Sequence, residues 1–99
     1  MTGTTSQIEW AEQIKPRVQE EFNRVARAFR MVASRQEEAG KRNTDAVLAI
    51  LEEKRAEVMA QESAGYFIRD WQELGGQVRK MIAADLRYQA MPLGNRKRT

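Results

Sequence analysis

The sequence contains no cysteine and no histidine. The first absence removes disulfides, thiol nucleophiles and thiolate metal sites. The second removes the commonest general base and, with it, triad chemistry and the usual zinc, haem and di-iron ligand sets. Proline is scarce too, with two residues, and glycine has six. Few segments are therefore forced out of regular structure. Long apolar runs are also missing. The longest, Val47-Leu48-Ala49-Ile50-Leu51, is far short of the roughly 20 residues a membrane-spanning helix needs. No basic residue precedes Lys15 and no apolar stretch follows Met1, so no secretory signal is expected. A cysteine-free chain of this kind fits a reducing, cytoplasmic setting.

The apparent basicity is local. Of 17 basic residues, three lie in Asn95-Arg96-Lys97-Arg98-Thr99, which has no acid. The preceding part balances its remaining basic residues against 14 acidic ones. The expected organisation is a single helical domain over 1–91, with a loose start at 1–5, and a flexible basic tail over 92–99. A net charge carried by a tail says little about nucleic acid.

What remains is helical patterning. Ser6-Gln7-Ile8-Glu9 has the form of a capping box, in which Ser and Glu would each satisfy the other's backbone N–H. From there Ala11, Ile14, Val18, Phe22, Val25, Phe29 and Val32 recur at steps of three and four, one apolar stripe of helical period. Pro16 interrupts it at a cost of about 3 kcal/mol. Because the stripe keeps its phase, a single helix over about 7–39, kinked at Pro16, is expected rather than two. Gly40 would end it, beside Lys41 and Arg42.

Asn43 or Thr44 would cap a second helix over about 44–62, with Asp45 in its first turn. Its apolar face (Val47, Leu48, Leu51, Val58, Met59) is thin and broken by Lys54 and Arg55. Ser63-Ala64-Gly65 reads as a turn. Phe67, Trp71, Leu74, Val78, Ile82 and Leu86 form a third stripe that holds phase across Gly75-Gly76. That predicts one helix over about 66–90, weakened at the glycines by about 1 kcal/mol each, with a helix that ends at Gly75 as the rival. The fold class is all-α, a small bundle of three amphipathic helices. The thin second helix makes the core lopsided, which leaves room for completion by a homodimer.

Carboxylates are the remaining material for an enzyme. Glu9 with Glu12, and Asp70 with Glu73, have the i, i+3 spacing that presents oxygens to Mg²⁺ on one helix face. The doubled-Glu motif of all-α nucleotide pyrophosphatases is missing beside them. Lys15 and Arg69 explain both pairs as ion-paired surface, so an Mg²⁺-dependent hydrolase is the least favoured reading and no cofactor or small-molecule substrate is expected.

Nucleic-acid binding has a better footing. Arg24, Arg27, Arg30 and Arg35 lie between Phe22 and Gln36 with no acid among them. On one helix Arg24, Arg27 and Arg35 would face outward together and, with Arg96, Lys97 and Arg98, could follow a phosphate backbone. The rival is a salt-bridged surface in which Glu20 pairs with Arg24 and Glu38 with Arg35. Trp10, Tyr66 and Tyr88 fall at or near helix ends and are candidate partner contacts. No motif places the chain in a family. The expected function is thus a non-enzymatic helical interaction or regulatory module with a protein partner or a second copy. An accessory nucleic-acid-binding protein is the alternative.

Overall fold

The first helix, α1, spans Thr5–Ala33, and its capping box lies two residues earlier than Ser6 and Glu9 suggest. Gln7 N donates to Thr4 Oγ1 (3.1 Å), and Thr4 N donates to Gln7 Oε1 (2.9 Å). A computed structural model of the chain describes residues 1–91. The expected basic tail, with Arg96, Lys97 and Arg98, lies outside the described residues. The start of the chain pairs with the segment before Ala64. Thr2 N donates to the Glu62 carbonyl (2.5 Å), and Ala64 N donates to the Thr2 carbonyl (2.8 Å). Thr2 thereby satisfies backbone groups that the loop before Ala64 would otherwise leave to water.

The helix runs through Pro16 without a break. Ile14 and Val18, on either side, are both buried. At about 1.5–3 kcal/mol each, their burial outweighs the cost of proline in a helix interior. The expected extension to residue 39 is wrong. The helix stops at Ala33, Ser34 Oγ donates back to the Met31 carbonyl (2.7 Å), and residues 34–37 make the turn.

Helix α2 therefore starts early and spans Glu38–Met59. Gly40 is inside it rather than a terminator. A Cβ at position 40 would approach Gln36 Cβ to 3.1 Å, so the missing side chain makes room for Gln36. Gln36 uses that position to accept a hydrogen bond from Thr44 Oγ1 (2.6 Å). Thr44 is thus no helix cap but a buried polar residue whose hydroxyl has a partner. With Val47, Ile50, Leu51 and Val58 also buried, α2 contributes more to the interior than its broken stripe suggests. Gln19 meeting Arg55, with Thr2 beside Glu62 and Gln36 beside Thr44, makes α1 and α2 an antiparallel pair.

The expected third helix is three helices: α3 (Ala64–Asp70), α4 (Gln77–Ala84) and α5 (Leu86–Gln89). Ser63 is not a turn apex but the cap of α3, accepting from Tyr66 N (3.3 Å). The break follows from Trp71, which leaves helical geometry (φ −122°, ψ 30°) and buries itself to 2% exposure. Burying about 200 Å² of indole is worth about 5 kcal/mol. Carrying a helix onward through Gly75-Gly76 would cost about 2 kcal/mol. Gly76 then adopts φ +86° to restart the chain as α4, a conformation that L side chains rarely take. The stripe keeps its phase because both pieces turn it toward α1. Phe67, Trp71, Val78 and Ile82 are all buried, whereas Leu86 is 78% exposed and α5 buries none of its residues.

α1 packs against α2 and α3, and α4 leans on α1 and α2. Ala11, Val18, Phe22, Val25, Leu51, Phe67, Trp71 and Val78 belong to one core cluster. At its centre the Phe22 and Trp71 rings meet at 5.8 Å, tilted by 50°. The extents are 50 × 22 × 20 Å, set in length by the 29 residues of α1. Among the described residues, no helix is long and apolar enough to cross a membrane.

Candidate functional site

The arginine row is largely neutralised. Arg24 is held by Glu21 through Nε (3.1 Å) and Nη2, and Arg27 Nη2 reaches Glu20 (3.2 Å). Hydrogen bonding from Arg24 lowers the Glu21 carboxyl below its ordinary range and raises the guanidinium in turn. The expected pairing of Glu20 with Arg24 is therefore replaced by Glu20 with Arg27. Arg35 is not on the row at all, because α1 has ended before it. Glu38 belongs to α2, where it lies 4.0 Å from Arg42.

One of the two carboxylate pairs comes apart in a similar way. Asp70 is the last residue of α3 and Glu73 follows the break, so the two do not share a helix face. Arg69 pairs with Asp70 (3.4 Å), and Lys15 stands over the Phe67 ring (5.8 Å). Glu9 and Glu12 do share α1. Among the described residues, no three acidic side chains gather closely enough to hold a metal ion.

The three aromatic candidates separate by role. Tyr66 works inward: its hydroxyl accepts from Trp71 Nε1 (3.1 Å) and its ring meets the Phe67 ring edge-on at 5.1 Å. Tyr88 is partly buried against the core. With Phe29, Val32, Gln36, Asn43, Thr44 and Val47 it lines a cleft of about 200 Å³. Val32, expected inside, is 51% exposed, because α1 ends one residue later and its stripe runs out past the bundle. Trp10 is also 51% exposed.

Trp10 stands over the feature that sequence reasoning missed. With Ile14 and Arg17, one and two turns further along α1, it forms one wall of an open cleft of about 400 Å³. The opposite wall is Trp71, Gln72 and Leu74, from the segment that leaves α3. Trp71 and Ile14 make a buried apolar floor, while Trp10 and Arg17 are exposed at the rim. The Tyr66 hydrogen bond and the Phe22 ring fix the Trp71 indole in place. The sequence held no local signal for it, because the chain leaves α3 at Trp71, well before the Gly75-Gly76 pair.

A second cleft, of about 410 Å³, lies between α1 and the chain after α2 and is lined by Met1, Glu12, Lys15, Pro16, Met59 and Glu62 among others. It mixes both charge signs and has no aromatic wall.

An ion-pair cluster that the sequence did not announce joins α5 to α2. Asp85 accepts from Arg87 through backbone N (2.8 Å), Nε (3.0 Å) and Nη2 (2.9 Å), and Lys54 Nζ lies 3.2 Å away. The Arg87 hydrogen bonds, with help from Lys54, hold the Asp85 carboxyl well below the usual carboxylate range. Glu53, also bonded to Arg87, is lowered in the same direction. These bonds help dock a helix of which no residue is fully buried. No protein-family model, curated protein or solved structure matches the chain.

Proposed function

We propose that this chain is a non-enzymatic helical interaction module, working in a reducing cytoplasmic setting, that docks a protein partner at the Trp10 cleft. The observation that carries the reading is the cleft itself. A half-exposed tryptophan stands over a buried indole floor that hydrogen bonding and ring packing hold rigid. Tryptophan and arginine at a preformed apolar depression are the usual makings of a binding hot spot. A rigid floor also lowers the ordering cost of association.

The test is a complex reconstituted from purified components. The expected result is saturable one-to-one binding, weakened at least about tenfold by Trp10→Ala, with the melting temperature nearly unchanged because Trp10 is half exposed. A complex indifferent to Trp10 would overturn the assignment. A homodimer that dissociates in the same variant would make the partner a second copy.

The nucleic-acid reading has a narrower basis. Arg24 and Arg27 would have to leave Glu21 and Glu20 to reach phosphates. Arg30 is exposed and, among the described residues, has no ion pair, so it is the residue best placed to start such binding. Binding of labelled RNA or DNA that weakens with salt, with a slope reduced in Arg30→Ala, would favour this reading.

A further inference from the structure

We infer that the Trp10 cleft takes a short protein segment bearing a bulky apolar side chain beside a carboxylate; this rests on reading the chain as an interaction module. The volume, about 400 Å³, matches the low end of ligand pockets and suits one or two large side chains. Ile14, Trp71 and Leu74 offer such a group an apolar surface with no buried polar atom to strand, since Trp71 Nε1 is already bonded to Tyr66.

Charge then selects among apolar segments. Arg17 is the charged residue of the lining. Among the described residues it makes no ion pair, whereas Arg24, Arg27, Arg55 and Arg87 each hold a carboxylate of this chain. An exposed guanidinium at the mouth of an apolar cleft favours a carboxylate in bidentate geometry and disfavours a basic segment. Gln72, opposite, has an exposed amide that can bond to the backbone of the same segment.

The experiment is selection of randomised seven-residue peptides displayed on phage against the full chain, Arg17→Glu and Trp10→Ala. The wild type is expected to enrich peptides in which Leu, Phe or Trp adjoins Asp or Glu. The best of these, synthesised, should bind the wild type saturably and Arg17→Glu at least about tenfold more weakly. Selection on Arg17→Glu should shift towards Lys and Arg beside the same apolar residue. Trp10-dependent peptides that bind Arg17→Glu within about twofold would overturn the carboxylate preference and leave the module standing. No Trp10-dependent peptide from any selection would overturn both. Sedimentation of the unliganded chain supplies the last arm. A Trp10-dependent dimer that the selected peptides fail to dissociate would make the occupant a second copy and overturn the assignment.

Discussion

Arg87 grips Glu53 across the α2–α5 boundary with two near-parallel hydrogen bonds, Nη2 to Oε1 at 2.8 Å and Nη1 to Oε2 at 3.1 Å. The same guanidinium holds Asp85, whose side chain is only 8% exposed. Helix α5 thus depends on charge as well as on the partly buried Tyr88, which makes its docking sensitive to pH. Asp85 and Glu53 both titrate lower in the folded chain than in the unfolded one. Their contribution is complete above the ordinary carboxylate range, about pH 4, and is lost as pH falls through the lower folded values. Amide-exchange protection across residues 86–89 should therefore drop between about pH 5 and about pH 2 before the α1–α2 pair loosens. In Arg87→Ala, α5 should already be less protected at neutral pH and show little further pH response. Equal protection in the two proteins would show that the clasp does not hold α5.

The ring contact between Phe22 and Trp71 predicts where stability is concentrated. Phe22 is 1% exposed, and Phe22→Ala should cost about 3–5 kcal/mol. A domain of this size has about 5–15 kcal/mol in total, so urea titration should place the variant close to unfolding. Trp71→Phe keeps most of the apolar area but loses the bond to Tyr66, and should cost less.

Two helical glycines should respond in opposite ways to alanine. At Gly65 the new Cβ meets nothing closer than Ser63 Oγ at 3.6 Å, so Gly65→Ala should stabilise by up to about 1 kcal/mol. At Gly40 the same propensity gain is set against Gln36 Cβ at 3.1 Å and the bond that Gln36 accepts from Thr44. Gly40→Ala should not stabilise, and thermal melts of the two variants side by side decide it.

The glycine pair divides likewise. Gly76 is at φ +86°, so Gly76→Ala should cost about 1–2 kcal/mol. Gly75 has open space around it and a negative φ, and Gly75→Ala should change stability little. If Gly76→Ala were neutral, the break between α3 and α4 would not depend on the left-handed residue.

The helical class and much of the core could be read from spacing alone. Ala11, Ile14, Val18, Phe22 and Val25 on α1, and Phe67, Trp71, Val78 and Ile82, are inward-facing as their period demands. What spacing could not convey was continuity. A stripe in phase across Gly75-Gly76 is satisfied equally by one helix and by two short helices that both pack on α1, and tertiary burial of Trp71 chose the second. Gly40 misled for the reverse reason: its purpose is a close approach by Gln36, which no local pattern encodes. The arginine row was visible as charges, but the partner of each was not, since Glu20 and Glu21 compete for the same two side chains. The Trp10 cleft needed residues from separate elements and so had no local signature.

Because α1 is a single helix of 29 residues, it also fixes a length. Trp10 and Val32, exposed residues at two of the clefts along it, lie about 33 Å apart along the axis at 1.5 Å per residue. A flexible linker of that reach would let two bound molecules wander past one another. A helix buttressed by α2 and α3 holds them at one spacing, so any pair of partners gripping both ends would be set in register as though by a ruler.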